Sequence, residues 1–555
     1  MFVIDKKRTF AMLATVCLLT GALFAQVPEK DKVVAGAERA FAKAAKANTG
    51  PAPGCAVGVS LAGESVFEKA FGLAEIEHNV PNTPNTIFES GSVAKQFVAA
   101  ALVLLQQEGK LNLDDDVRKY VPELPDYGSK MTIRHLLNHT AGLRDWGAVM
   151  ALTGVGRGDR VISQEVALDV VFRQKGLDFK PGAEYSYSNS GYQLATLIAE
   201  RVSNQKLPAF IDERFFKPLG MKNSSWRDDY QRLVPGRAQG YSRQGPNAPW
   251  RLDMPIMSVY GNGGMLTTVG DWLKWNAMLD SASMGRPLVD ALETRGVLND
   301  GRKIEYALGL VVSEYRGMRD VSHGGSTAGY QTFLARYPDQ KVSVAVLCNG
   351  TSPSAGRIAA DITDEIFGPF PQQPTNSAPA AAVAPETLQK YVGLWRNERT
   401  RYPSRTTLEN GKLLLNGRPL TPLPDGSFQY GPSKVTFKLA AGGKPEYAEV
   451  DTNGDAVRHM LEEAWTPSAN ELSALVGVWH SEEAEATFKF VVEDGKAFLT
   501  QRPTTKLPLT PLYKDHFSIG GVNAVAWVIR NREGKIVDLH VGGARMRDMP
   551  FTRVK

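Results

Sequence analysis

Strand-like patterns stand at both ends of residues 30–368, and a helix-rich stretch lies between them. Two apolar patterns near the start, at 54–61 and 65–74, are joined by a short turn. Further strand patterns follow the helical middle, at 306–315, 330–337 and 342–348, before a helical pattern over 355–367. Because strands that flank a helical insertion can pair with each other, the patterns predict an α+β fold with one antiparallel sheet built from both ends of the block.

A different composition begins after a Pro/Ala-rich linker at 369–385. The sequence LQKYVGLW at 388–395 is repeated as LSALVGVW at 472–479, an offset of 84 residues, among short strand patterns separated by turns. The repeat predicts two small antiparallel β-barrels, at 386–465 and 470–555. One larger sandwich is the alternative.

Residues 1–25 have the pattern of a secretory signal peptide. A charged start, Lys6-Lys7-Arg8, precedes an apolar run that ends at Ala25, a suitable cleavage point. This pattern predicts a periplasmic or extracellular protein whose first mature domain is 26–368. No later stretch is long enough to cross a bilayer, so no membrane span is expected once the signal is removed. An uncleaved N-terminal anchor is the alternative.

Charge and composition exclude several function classes. The net charge is +5, from 64 basic and 59 acidic residues, with no basic run, so nucleic acid is not an expected partner. The eight histidines are scattered, and no metal or other cofactor is expected. Cys55 and Cys348 lie in apolar patterns, which favours free buried thiols; a disulfide in an oxidising compartment is the alternative.

The sequence Ser92-Val93-Ala94-Lys95 lies at the start of a helical pattern over 96–108. A serine there lies in the positive field of the helix N-terminus, and a lysine three residues later lies on the same face. A hydroxyl with an adjacent base is what an acyl-transfer nucleophile needs. The chain has a second S-x-x-K, Ser203 to Lys206, but Ser203 ends a helical pattern and is predicted to lie in a turn. Ser92 is therefore the predicted nucleophile and Lys95 its partner.

Tyr187-Ser188-Asn189 fits the same chemistry. A phenol near an ammonium group has a stabilised phenolate, so Tyr187 can accept the serine proton and return it to a leaving group. Asn189 can bind a substrate amide through its own amide. A similar sequence, Tyr260-Gly261-Asn262, runs into two glycines and is predicted to be a loop.

His323-Gly324-Gly325-Ser326 stands between two strand patterns. Glycines there let a substrate backbone come close to a sheet edge, and the N–H of Ser326 can pair with that of Ser92 as an oxyanion hole. His323, Gly325 and Ser326 are therefore predicted to bind substrate. A second His-x-Gly, at His540, falls in the repeated region. The chain has no G-x-S-x-G, so the nucleophile elbow of α/β-hydrolases is not indicated.

With these motifs in place, residues 35–365 resemble the serine β-lactamase and penicillin-binding superfamily, in its class C β-lactamase, D-alanyl carboxypeptidase and esterase branch. The resemblance includes the segments at 88–97, 109–115, 132–143 and 263–265. It implies an α/β sandwich around a five-stranded antiparallel sheet with a helical lobe, and an acyl-enzyme mechanism. It also implies that Ser92 is the nucleophile, Lys95 the lysine, Tyr187 the base, Asn189 the amide-binding residue and 323–325 the third motif.

The third motif departs from the pattern usual in penicillin-active members, which is K-T-G. A histidine with an ordinary pKa is mostly neutral at pH 7, so His323 supplies no fixed cation for a substrate carboxylate. Substrates that carry a carboxylate next to the scissile bond, such as penicillins and D-Ala-D-Ala peptides, are therefore expected to be hydrolysed less well than aminoacyl amides or neutral esters. Histidine in this position, followed by two barrels, resembles the D-aminopeptidases. We therefore expect a secreted serine hydrolase acting on amides or esters, D-amino-acid peptides among them.

Two alternatives use the same machinery: a carboxyl esterase, and a β-lactamase or D-Ala-D-Ala carboxypeptidase. A third belongs to another class, a catalytically silent binding protein on the penicillin-binding fold. The sequence leaves open the oligomeric state and whether the barrels cover the site.

Overall fold

The structure is a computed structural model that describes residues 26–155, 160–370, 383–502 and 505–554. The expected signal peptide and most of the expected linker lie outside the described residues. Within the described ranges, no helix has both the length and the apolar character needed to cross a membrane.

A six-stranded antiparallel sheet forms the centre of the first part of the chain, in the order β10-β11-β12-β13-β1-β2. The strands of this part are β1 (Cys55–Leu61), β2 (Glu64–Phe71), β3 (Leu73–Glu75), β4 (Val80–Pro81), β5 (Phe88–Glu89), β6 (Ser225–Trp226), β7 (Tyr241–Ser242), β8 (Arg251–Leu252), β9 (Met265–Thr267), β10 (Val311–Tyr315), β11 (Met318–Thr327), β12 (Tyr330–Tyr337) and β13 (Val342–Cys348). β1 pairs with β13 from Cys55↔Cys348 to Leu61↔Val342. The predicted sheet built from both ends of the block is therefore confirmed.

The sheet has one strand more than the five that the resemblance implied, and the sequence patterns missed β11. This strand contains Gly324 and Gly325, which carry no side chain and so interrupt the apolar alternation that reveals a strand. The third motif accordingly lies within a strand, not between two strands.

Helices cover both faces of the sheet and form a lobe beside it. They are α1 (Lys30–Ala47), α2 (Lys95–Gln107), α3 (Ile133–Leu137), α4 (Trp146–Ala151), α5 (Gln164–Phe172), α6 (Asn189–Ser203), α7 (Leu207–Ile211), α8 (Lys217–Leu219), α9 (Val269–Ser281), α10 (Arg286–Glu293) and α11 (Ala355–Phe367). The buried residues Ile358, Ile362 and Ile366 recur every four positions and form one apolar face of α11. This face packs against the sheet on the same side as α1. α9 packs on the other face, where a Cβ on Gly58 would lie 3.1 Å from side-chain atoms of Val269 and Leu273.

Cys55 and Cys348 form a disulfide between the facing ends of β1 and β13. The expectation of free thiols is therefore wrong. The pairing follows from the strand register, which places these two residues directly opposite each other. The bond closes a separation of 293 residues and so restricts the unfolded chain.

The first C-terminal unit follows helix α12 (Pro385–Lys390) and is a nine-stranded antiparallel sheet in the order β17-β16-β15-β14-β22-β21-β20-β19-β18. Its strands are β14 (Gly393–Asn397), β15 (Pro403–Glu409), β16 (Lys412–Leu415), β17 (Arg418–Pro419), β18 (Thr421–Pro422), β19 (Phe428–Tyr430), β20 (Ser433–Leu439), β21 (Pro445–Thr452) and β22 (Asp455–Glu462). The sheet is a nearly closed barrel with a core of its own around Trp395 and Phe428.

The second C-terminal unit follows helix α13 (Ala469–Ser473) and is a closed eight-stranded barrel. Its strands are β23 (Gly477–Ser481), β24 (Ala486–Glu493), β25 (Lys496–Gln501), β26 (Thr505–Pro511), β27 (His516–Ile519), β28 (Ala524–Arg530), β29 (Ile536–Gly543) and β30 (Met546–Arg553). Its apolar core is continuous with that of the helical lobe.

Polar contacts also join this barrel to the lobe. The buried guanidinium group of Arg144 pairs with the buried Glu483 carboxylate at 2.7 Å, and Gln501 Nε2 donates to Leu152 O at 2.8 Å. The closed barrel therefore packs directly against the helical lobe.

Candidate active site

Ser92 and Lys95 lie at the junction of a 3₁₀ turn, Gly91–Ala94, with helix α2. The Lys95 side chain is fully buried. Its Nζ donates to Ser92 Oγ at 3.0 Å, to Asn189 Oδ1 at 2.9 Å and to the backbone carbonyl of Asn262 at 2.5 Å. An ammonium group has three N–H donors, so these acceptors fix its position against the serine hydroxyl.

Two glycines let strand β11 come against this turn. Gly91 has a φ of 52°, and a Cβ there would lie 2.7 Å from the Ser326 nitrogen. A Cβ on Gly325 would lie 2.0 Å from Ser90 O, which excludes any side chain at that position. Ser92 and Ser326 consequently line the same small cavity, as two converging oxyanion donors would have to.

Asn189 begins helix α6 and is held from two sides. Its Oδ1 accepts from Lys95, while its backbone N–H and its Nδ2 both donate to Asp145 Oδ2 at 2.8 Å. The other oxygen of Asp145 accepts from the first N–H groups of helix α4, from Gly147 at 3.0 Å and Ala148 at 3.1 Å. The side-chain amide of Asn189 thus has a fixed orientation beside Lys95.

The Tyr187 ring lies against the lysine, with Lys95 Nζ 5.0 Å from its centroid. Its hydroxyl is buried and has no hydrogen-bond partner of ordinary geometry among the described residues. The expectation of a phenolate stabilised by the lysine is not met: burial raises the pKa of Tyr187, while the nearby Ser92 hydroxyl and the Arg545 charge act in the opposite direction. An unsatisfied phenol beside a serine hydroxyl can exchange a proton with a group that enters the cavity.

The His323 ring is occupied within the protein. Nδ1 lies 2.6 Å from Gly324 O, so it carries the proton and donates to that carbonyl, and Nε2 then accepts from the Tyr306 hydroxyl at 2.9 Å. Burial, followed by the charge of Lys95, lowers the pKa of His323 to about 3. The histidine is neutral, as expected. Both ring nitrogens have partners within the protein, and a contact of the His323 side chain with substrate stays a prediction.

His139, in the segment 132–143, lies beneath the tyrosines. Its ring centroid is 4.1 Å from that of Tyr187, and its Nδ1 accepts from the Ser188 N–H at 3.2 Å. Burial holds the pKa of His139 well below its ordinary value. This neutral ring packs under the Tyr187-Ser188 segment and supports it from below.

The structure brings together Ser92, Lys95, Tyr187, Asn189, Gly325 and Ser326. It also adds residues that the motifs did not reveal. Asn262 was expected to be only a loop residue; it lies in a loop, but its carbonyl binds Lys95 and its Oδ1 accepts from Gln193 at 2.7 Å. In the sequence, Asp145 is recognisable as a candidate helix N-cap before an apolar segment, which is a weak signal for a site residue.

The competing motifs lie elsewhere or have other partners. Ser203 is the last residue of helix α6. The Tyr260 hydroxyl donates to Glu200 at 2.8 Å, and the His540 ring contacts Asp548 within the closed barrel.

The fold and the site together define a serine hydrolase. Residues 37–366 match the Beta-lactamase family, and the chain belongs to that family. A D-aminopeptidase from Gluconobacter oxydans is 24% identical over 527 residues, which cover 91% of this chain and 96% of the relative. A D-aminopeptidase from Brucella anthropi is 29% identical over 307 residues, covering 54% of this chain and 56% of the relative.

A solved structure with the same fold is an octameric penicillin-binding protein homologue from Pyrococcus abyssi. It has a TM-score of 0.54 and 22% sequence identity, and the match covers 83% of this chain and 97% of that one.

Proposed function

We propose that the protein hydrolyses amide bonds of D-amino-acid peptides through an acyl-enzyme on Ser92. The observation that carries the proposal is the 3.0 Å contact between Lys95 Nζ and Ser92 Oγ, next to the unsatisfied Tyr187 hydroxyl. A serine is a weak nucleophile until a neighbouring group removes its proton. The buried lysine and phenol are the two groups in position to do so.

In the first half-reaction, Ser92 Oγ attacks the scissile carbonyl carbon. Tyr187 and Lys95 act as a coupled pair, and the reactive form is the one that lacks one proton. The pair takes the proton of Ser92 and then gives it to the leaving nitrogen as the C–N bond breaks. In the second half-reaction water attacks the ester, its proton follows the reverse route, and Ser92 is regenerated.

Charge that develops on the carbonyl oxygen needs donors already in place. The N–H groups of Ser92 and Ser326 are the proposed oxyanion hole, supported by the close approach of Gly91 to Ser326. Asn189 uses its oxygen for Lys95 and one N–H for Asp145, which leaves its second Nδ2 hydrogen for a substrate carbonyl.

The D-peptide substrate is proposed from the relatives, since two of them are D-aminopeptidases and one matches along nearly its whole length. The test is a panel of D- and L-alanyl p-nitroanilides, a short-chain p-nitrophenyl ester and a chromogenic cephalosporin, with Ser92→Ala as the blank. Faster Ser92-dependent turnover of the D-anilide than of the L-anilide supports the proposal. Turnover of the ester or the cephalosporin alone would contradict it, and no turnover at all would favour a silent binding protein.

Export is also part of the proposal. It is supported by the signal-like pattern of residues 1–25 and by the Cys55–Cys348 disulfide, which forms most readily in an oxidising compartment. N-terminal sequencing of protein from a periplasmic or culture fraction should begin at Gln26. A mature protein that still begins at residue 1 in that fraction would contradict cleavage.

A further inference from the structure

The hairpin between β29 and β30 of the closed barrel reaches the candidate active site. Its two-residue tip is Ala544-Arg545, since Gly543 pairs with Met546. The Arg545 guanidinium carbon lies 4.7 Å from the Tyr187 ring centroid. A residue from the far end of the chain is thus stacked on a ring that also lies against Lys95.

The tip is anchored on the residues that build the site. The N–H of Asp145 donates to the Arg545 carbonyl at 2.9 Å, and Asp145 is also the residue that holds Asn189. On the following strand, the Arg547 N–H donates to Asp178 Oδ1 at 2.9 Å and its guanidinium group pairs with Glu184 at 2.8 Å. These contacts fix the position of the hairpin tip next to the Tyr187 ring.

Arg545 is an exposed cation, while Arg547, two residues further on, is paired and buried. Among the described residues, no carboxylate forms an ion pair with Arg545. The other cations that the described residues place at the site are not available to a substrate anion. The donors of Lys95 face Ser92, Asn189 and the Asn262 carbonyl, and His323 is neutral. Arg227, which lines the same small cavity, is buried and paired with Glu89 at 2.8 Å. Arg545 is therefore the positive charge that the site presents to a ligand.

We propose that Arg545 binds an anionic group, such as a carboxylate, on the leaving group of the substrate. This inference rests on the proposed function and names a substrate feature for it. Tyr187 is the group that passes a proton to the departing atom, so a guanidinium group stacked on Tyr187 lies beside the leaving group. A guanidinium group binds a carboxylate through two parallel N–H donors, which gives both charge and orientation.

The proposal changes the expectation drawn from the third motif. That motif has no cation, which suggested neutral substrates. The barrel supplies a cation by another route, so a free carboxylate next to the scissile bond is favoured, as in a peptide whose departing residue is the C-terminal one. The same tip borders a largely apolar cavity of about 340 Å³, lined by Leu152, Phe488 and Met546 among others, which gives an apolar side chain of the leaving group a place to lie.

The experiment compares two activated esters that differ only in leaving-group charge, 3-carboxyphenyl acetate and 3-carbamoylphenyl acetate. The small acetyl group makes the comparison independent of the preferred acyl residue. The full chain is assayed for kcat/KM on both esters as wild type, Arg545→Gln and Arg545→Lys. The matched control is Arg532→Gln, an exposed arginine in another turn of the same barrel.

Arg545→Gln should lower the ratio of carboxylate-ester to carbamoyl-ester kcat/KM by about tenfold, since one charge-assisted contact is lost. Arg545→Lys should retain most of the wild-type ratio, and Arg532→Gln all of it. The wild-type preference should weaken as salt is raised.

An unchanged ratio in Arg545→Gln would overturn the inference. So would an equal loss on both esters, because that result would mean that Arg545 acts only through the protonation of Tyr187. Absence of Ser92-dependent turnover on both esters and on the D- and L-alanyl anilides is a different result: it would remove the proposed function, and this inference with it.

Discussion

Asp145 binds Asn189 twice through a single carboxylate oxygen, from the backbone N–H and from the side-chain Nδ2, each at 2.8 Å. Its other oxygen caps helix α4, and its own N–H donates to the carbonyl of Arg545. One buried aspartate therefore links the candidate amide-binding residue, a helix of the lobe and the barrel hairpin.

Asp145→Asn should lower turnover by about 10²-fold, because the new amide would direct N–H donors at the N–H groups of Asn189 and displace them. An oxygen remains to cap helix α4, so the variant should still fold with a modestly lower Tm. Steady-state kinetics and thermal unfolding are the measurements. Asp116→Asn, which alters the aspartate cap of the remote turn Val117–Lys119, is the control and should keep full activity. If Asp145→Asn turned over substrate at the wild-type rate, Asn189 would not need its hydrogen bonds to Asp145.

Tyr187→Phe should reduce kcat by about 10²–10⁴-fold, the usual contribution of a proton-transferring group. The phenyl ring can occupy the same place against Lys95, so the fold should be retained. Tyr260→Phe is the matched control, because its hydroxyl serves Glu200 and not the nucleophile. If the two variants lose activity equally, the proton-transfer role of Tyr187 is wrong.

Stability should fall on acidification because His323 is folded in its neutral form. Burial lowers its pKa from 6.5 to about 3, so between these values the unfolded chain binds a proton that the folded chain does not. The contribution of neutral His323 to the free energy of unfolding is complete above pH 6.5. It is lost as the pH falls towards 3, with a slope of about 1.4 kcal/mol per pH unit. Urea unfolding at a series of pH values should show that the free energy of unfolding depends less steeply on pH in His323→Gln than in wild type. Identical slopes would mean that His323 is not buried as a neutral group.

Removing the disulfide with Cys55→Ala/Cys348→Ala should lower the free energy of unfolding by about 2–4 kcal/mol, because the crosslink spans a long loop in the unfolded chain. Urea denaturation gives the value. Wild type unfolded in the presence of a thiol reductant should approach the variant. If wild type had the same free energy of unfolding as the variant and did not respond to the reductant, the result would argue against the disulfide.

The fold could be predicted where its cause is local. β1 and β13 are short apolar runs that are visible in local windows, and the helical pattern predicted at 355–367 matches the observed helix α11, Ala355–Phe367. Strand β11 was missed because two glycines interrupt its apolar pattern, although one of them, Gly325, is what lets the strand lie against the turn that holds Ser92. The disulfide depends on the register between distant strands, which no local pattern records.

In the site as well, the residues that could be predicted are those with a local sequence signal. Ser92, Lys95, Tyr187 and Asn189 stand in short motifs at helix starts, and the structure brings them together. Asn262 contributes a backbone carbonyl to Lys95, and a carbonyl is present in every residue, so its side chain gives no signal for this contact. Arg545 lies in the last barrel, and only the docking of that barrel on the lobe brings it to Tyr187.

The identity of the nucleophile is tested most directly by covalent labelling. Wild type, Ser92→Ala and Ser203→Ala are incubated with a fluorophosphonate probe, and the labelled peptide is identified by mass spectrometry. One adduct on Ser92 is expected in wild type and in Ser203→Ala, whose serine ends helix α6, and no adduct in a folded Ser92→Ala. An adduct that persists in Ser92→Ala, or that maps to another serine in wild type, would contradict the account.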